Sequence, residues 1–140
     1  MNKDIAMNGK TYKNNIQRHT MHYHNHMNEA NYYYKIWSKS KNPIKAVHKR
    51  AMDNLNRAYE DLRDAIHQLM LEDRALNKNN KSWDSELWND LYWSLPHNLY
   101  QFSDKTADLL NNNGYNNQCA SISSMNYIRI SWRDKAKEVK

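Results

Sequence analysis

The run PIKAVHKRAMDNLNRAYEDLRDAIHQLMLEDRAL, from Pro43 to Leu76, constrains the fold more than any other part of this chain. Steps of four and three residues from Ile44 visit His48, Ala51, Leu55, Ala58, Leu62, Ala65, Leu69, Glu72 and Leu76, and eight of these ten positions are apolar. Such a period marks the seam of a helix, since a half-buried strand would repeat every second residue. Asn42 reads as an N-cap with Pro43 at the first helical position, and NKNNKS ends the run. At a rise of ~1.5 Å per residue the helix is about 50 Å long, which predicts an elongated molecule. Small alanines alternate with Leu55, Leu62 and Leu69 and admit a close neighbour, while Met52, Tyr59 and Ile66 widen the apolar face. A face that wide suits a bundle with several neighbours.

The preceding segment obeys the same rule. Ile16, Thr20, Tyr23, Met27, Ala30, Tyr34 and Trp37 recur at four and three, predicting a helix over 14–39 after a flexible arm at 1–13. The short connector SKSKN makes the two helices an antiparallel hairpin. Beyond Ser82, which reads as an N-cap, Leu87, Leu91 and Leu95 form a helical row beside Trp88 and Tyr92. Pro96 separates it from a further helix marked by Leu99, Phe102, Thr106 and Leu109, with Gly114 as its C-cap. In the last segment Ile122, Met125, Ile128, Trp132 and Ala136 share one helical face; Ile128–Trp132 also alternates like a strand, but a lone strand has no partner here. The expected fold is all-α: one domain over 1–140, an elongated bundle of four or five helices with a long N-terminal hairpin.

Composition removes several classes of function. Two glycines in 140 residues leave no Gly-rich phosphate loop and few tight sheet turns. The single Cys119 has no intramolecular disulfide partner, and the first ten residues hold no apolar run resembling a secretion signal, so a cytoplasmic location is expected. No apolar stretch approaches the ~20 residues that span a bilayer, so no membrane role is expected. Twenty-one Asn and ten Tyr resemble, in composition only, the small accessory proteins of phages and other mobile elements. That resemblance implies a factor acting on host machinery, such as an anti-CRISPR-type inhibitor of a nucleic-acid-guided defence enzyme.

Charge is segregated. Residues 1–50 carry ten Lys or Arg against two acids, residues 51–110 six against eleven, and residues 111–140 five against two. Tyr33, Lys35, Lys39, Lys41, Lys45, Lys49 and Arg50, with Tyr32, Tyr34 and Trp37 among them, gather where the first helix meets the second. Clustered cations neutralise phosphates and neighbouring rings stack on bases, so these residues are the candidate surface for nucleic acid or a nucleoprotein complex. The competing account is that the lysines only solubilise a connector while Tyr34 and Trp37 belong to the core.

Two other constellations carry less. His22, His26 and Glu29 fall at i, i+4 and i+7, a row that suits zinc, yet Tyr23 stands where the zinc-protease pattern needs Glu. His19, His26 and Tyr33 flank the seam, with His22 and His24 toward solvent. Glu60, Asp64 and His67 supply half of a di-iron arrangement and read as a solvated polar face, on which Arg57 and Asp61 pair at i, i+4. Arg63 and His67 differ from the HEPN ribonuclease spacing, having three intervening residues where four to six are needed. The sequence therefore predicts a non-enzymatic interaction protein with no metal and no cofactor. The alternatives are an oligomerising helical scaffold without a nucleic-acid role, and a small metal-dependent enzyme using His22, His26 and Glu29.

Overall fold

A computed structural model describes residues 2–76 and 85–139, with side chains from Thr11 to Leu76 and from Glu86 to Val139. Helix α1 spans Asn2–Lys39, α2 Lys45–Leu76, α3 Ser85–Ser94, α4 Asp104–Asn112 and α5 Asn116–Glu138, and Leu99–Gln101 forms one 3-10 turn. No strand occurs among the described residues. The fold is the expected all-α bundle built on an antiparallel α1–α2 hairpin. No described helix is long and apolar enough to cross a membrane.

Helix α2 is the axis. Ala51, Leu55, Ala58, Tyr59, Ala65, Ile66 and Met70 are buried along it. Ala30, fully buried on α1, lets the hairpin close tightly, and Tyr23, Met27 and Tyr34 pack against the same core. Residues at the two ends of the seam are not in the core: Ile44 and Leu76 are exposed, while Tyr59, Ile66 and Met70 beside the seam are as fully buried as Leu55 within it. The widened face is needed because α2 has neighbours on several sides. The α3 side is tied to it by the Tyr59 hydroxyl, which donates to the Pro96 carbonyl at 3.3 Å, and by Arg74 over the Trp88 ring at 4.3 Å.

Local signals explain both ends of α4. Ser103 caps α4, its hydroxyl accepting from the Thr106 N–H at 3.3 Å, and Thr106 in turn donates to the Ser94 carbonyl at 2.9 Å. Gly114 stops α4 at φ +86°, where a Cβ would be strained. Around it Tyr115 N–H donates to Leu110 O at 2.9 Å and Gly114 N–H to Asn111 O at 3.4 Å, the two bonds of a Schellman motif. Tyr115 and Leu110 are both buried, completing the hydrophobic contact such a cap uses.

Several expectations need correction. The backbone is helical from Asn2, twelve residues before Asn14, where an arm at 1–13 was expected. The second helix begins after Pro43: Ile44 O accepts from Val47 and His48 at 3.0 and 3.3 Å, so Ile44, and not Asn42, stands at the cap. Asn42 is instead held in the connector, its N–H donating to Ser40 Oγ at 3.2 Å. In α3 it is Trp88 that is buried beside Leu91 and Leu95, with Leu87 exposed. The segment after Pro96 forms a 3-10 turn before α4, as Ser103 competes for a helix N-terminus there. The last segment is α5 throughout, including Ile128–Trp132. The expected Ser82 cap and NKNNKS stop lie outside the described residues.

Candidate nucleic-acid interface

The connector between α1 and α2 and the carboxyl end of α5 meet at one end of the bundle. Trp132 of α5 stacks on Tyr34 of α1, ring centroids 4.3 Å apart and 7° from parallel. The carbonyl of Trp132 lies 2.9 Å from His48 Nε2 on α2, which donates to it in that tautomer. Trp37 is 4% exposed and packs edge-on against His48 at 4.6 Å. Tyr34 and Trp37 are thus used by the core, as one of the two sequence accounts required.

Around this aromatic joint Lys35, Lys39, Lys41, Lys45, Lys49 and Arg50 are all exposed. Lys49 pairs with Asp53 at 2.8 Å, an exposed i, i+4 contact of small energetic weight. Tyr33 differs from its expected role. It is half-buried, and the Arg50 guanidinium lies 4.6 Å over its ring, so these two satisfy one another and the ring is not a free stacking platform. Tyr32, in edge contact with Tyr33 and 61% exposed, is the ring that faces solvent.

Helix α5 adds charge that was not assigned to the site from sequence. Arg133, Lys135 and Lys137 are exposed in its last turns. Arg133 contacts Asp134 at 3.4 Å and Lys135 contacts Glu138 at 3.3 Å. The basic run RDKAKEVK was the available signal, but its proximity to residues 35–50 depends on how α5 docks. Lys39 and the α5 lysines also lie at helix carboxyl ends, where the backbone dipole favours cations. Between these elements lies a cleft of 310 Å³ lined by Trp37, Pro43, Lys45, His48, Lys49, Ala136 and Val139. Apolar walls with two ammonium groups at the rim can receive a flat ring and its phosphate together.

The remaining expected sites are dispersed. His22, His24 and Glu29 are exposed, whereas His26 turns into the hairpin and bonds Asp61 at 2.5 Å, so the row His22, His26 and Glu29 does not converge. Asp61 therefore faces α1 and does not make the expected pair with Arg57. Glu60, Asp64 and His67 likewise are not a uniformly solvated face. Glu60 is exposed, Asp64 is half-buried, and His67 stacks on Tyr92 at 4.5 Å between α2 and α3. Arg63 reaches across to His97 at 2.8 Å.

Burial first, and then the Arg63 charge, lower the pKa of His67 from 6.5 to about 4 against the opposing pull of Asp64. Between those values the unfolded chain holds a proton that the folded chain lacks, so stability falls as pH drops from 6.5 to about 4 and is full above that window. Because the ring is only partly shielded from solvent, the loss amounts to about 1–2 kcal/mol. Urea titrations across this range should show the slope, and His67→Phe should flatten it; an unchanged slope in the variant would assign it elsewhere.

The fold and this surface define a helical-hairpin protein with a cationic end. Comparison with protein-family models, curated proteins and solved structures finds no match.

Proposed function

We propose that this chain is a non-enzymatic binding protein that engages nucleic acid, free or within a nucleoprotein complex, through the basic end of its hairpin. The observation that carries this reading is the cleft beside Trp37, lined by Lys45 and Lys49 of α2 and by Ala136 and Val139 at the α5 end, with the exposed Lys39, Lys41, Lys135 and Lys137 close in sequence to residues that line it. Lys39, Lys41 and Lys45 supply point charges that reach phosphates, Lys135 and Lys137 extend the surface, and the cleft beside Trp37 takes a base or ribose. In the specific form suggested by composition, the protein is a phage-type accessory factor that inhibits or redirects a nucleic-acid-guided host enzyme.

The test is binding to single-stranded and duplex RNA and DNA over a range of salt. Changing Lys39, Lys41, Lys45 and Lys49 together to Ser should weaken binding and flatten the plot of log K against log salt by up to about 0.9 per lost duplex phosphate contact. Lys135→Ser with Lys137→Ser should act in the same direction. Unchanged affinity and salt slope in the fourfold variant would refute the interface.

A second reading, self-association as a helical scaffold, is favoured by one observation: Trp93 on α3 is 78% exposed. A large aromatic in solvent is a strong interface anchor when covered. Sedimentation of the wild type and Trp93→Ser distinguishes the readings, since a scaffold dissociates in the variant while its nucleic-acid binding stays absent.

A further inference from the structure

The facing surfaces of α1 and α2 are not apolar throughout. Toward one side of the hairpin runs a polar seam in which α1 contributes Asn15, His19 and His26 and α2 contributes, in antiparallel order, Gln68, Asp64 and Asp61. Asn15 Nδ2 donates to Gln68 Oε1 at 3.2 Å. Further along, His26 Nδ1 lies 2.5 Å from Asp61 Oδ2. Between them one ligand atom from each of His19, Asp61 and Asp64 lies within 4.8 Å of the others, and all three residues are half-buried.

We propose that His19, Asp61 and Asp64 form a site for a divalent first-row transition ion, zinc being the test ion, with His26 positioning Asp61. The spacing carries the idea. Asp61 and Asp64 are one helical turn apart and present two carboxylates on one face, and His19 brings an imidazole from the opposing helix. Small rotamer changes bring the three atoms to the ~2.0–2.2 Å bonds that zinc makes with nitrogen and oxygen, leaving room for water at the open positions. A ligating carboxylate is commonly held by a second hydrogen bond, which is what His26 supplies to Asp61. Asp64 Oδ1 is held by Arg63 Nη2 at 3.2 Å, so its other oxygen serves the ion. Two carboxylates brought this close also disfavour each other when ionised, and a dication offsets that repulsion. The imidazole directs the choice of ion, since purely oxygen-ligated sites suit magnesium and calcium whereas His favours zinc and its neighbours. The site lies in the middle of the hairpin and would pin α1 to α2, so it is independent of the basic end.

The test uses tag-free full-length protein, stripped with EDTA and titrated at neutral pH with Zn(II) by calorimetry and with Co(II) by visible absorption. One equivalent should bind, and thermal unfolding should shift upward by about 5 °C or more when zinc is in hundredfold excess over Kd. His19→Ala and the near-isosteric Asp64→Asn should each weaken binding by on the order of a hundredfold and change the Co(II) spectrum. His26→Ala should weaken it about tenfold to a hundredfold, and His26→Asn, which keeps a donor near the Nδ1 position, should recover most of that loss. His22→Ala and His24→Ala should bind as the wild type does. Far-UV circular dichroism establishes that each variant is folded. Failure to bind zinc at micromolar concentration, preference for magnesium or calcium, or loss of binding in His22→Ala with retention in Asp64→Asn would each overturn the assignment.

Discussion

Trp132→Ala is expected to lower the free energy of unfolding by about 3–5 kcal/mol, the range for deleting a large aromatic side chain from a packed site. Trp132 is 6% exposed and belongs to the main core cluster. Its ring lies flat on Tyr34 of α1, which ties the two helices together. The substitution leaves a cavity between the helices and removes that stack, while the bond from His48 to the Trp132 carbonyl belongs to the backbone and survives. Denaturant unfolding monitored by helix signal should show a lower midpoint with little change in slope. The effect has a functional side, because the same joint sets Lys135 and Lys137 beside the hairpin turn. Binding that uses the convergent surface should weaken in Trp132→Ala more than in Trp132→Phe, which keeps a ring over Tyr34. A stability loss below about 1 kcal/mol would mean that α5 is not anchored there.

Tyr59→Ala should lose a similar amount, about 3–5 kcal/mol, for a partly different reason. Tyr59 is fully buried on α2, and its hydroxyl is the tie to the Pro96 carbonyl. Burial raises the pKa of that hydroxyl, against a smaller lowering effect of Arg63, so the phenol remains a donor at every ordinary pH. Removing the ring empties the space between α2 and the turn that follows α3. Tyr59→Phe keeps the volume and loses only the hydrogen bond, with an expected loss of about 1 kcal/mol. Amide hydrogen exchange should accelerate around Leu95–Phe102 in the Ala variant, with the lower half of the hairpin less affected. Equal losses in the two variants would show that the hydrogen bond, and not the ring, holds that junction.

Much of the secondary structure could be read because it is encoded locally. Three-and-four spacing placed the faces of α1 and α2, and Gly114 marked a stop that needs positive φ. The misplaced details are those where neighbouring signals compete. Pro43 suits a first helical position, but Ser40 and Asn42 form their own turn before it, and Ile44 becomes the cap. Leu87 and Trp88 sit on adjacent faces of α3, and it is Trp88 that turns inward, with Arg74 of α2 over its ring.

The candidate sites were less legible, since each draws on residues distant in sequence. The lysines of 35–49 are visible as a cluster, yet the sequence does not say that Arg50 covers Tyr33 or that Ala136 and Val139 at the α5 end share a cleft with Lys45 and Lys49. For the polar seam, periodicity placed His19 and His26 beside the α1 stripe, but it assigned Asp61 to a pair with Arg57 and left Asp64 in solvent.

The helical character of the chain, the buried faces of its two longest helices and its uneven charge follow from side-chain period and composition along single segments. Which charges share a surface and which histidines meet carboxylates does not. Those outcomes depend on the register and rotation of one helix against another, which are fixed by the packing of side chains such as Ala30, Tyr59 and Trp132 against their neighbours and are not written in any one segment.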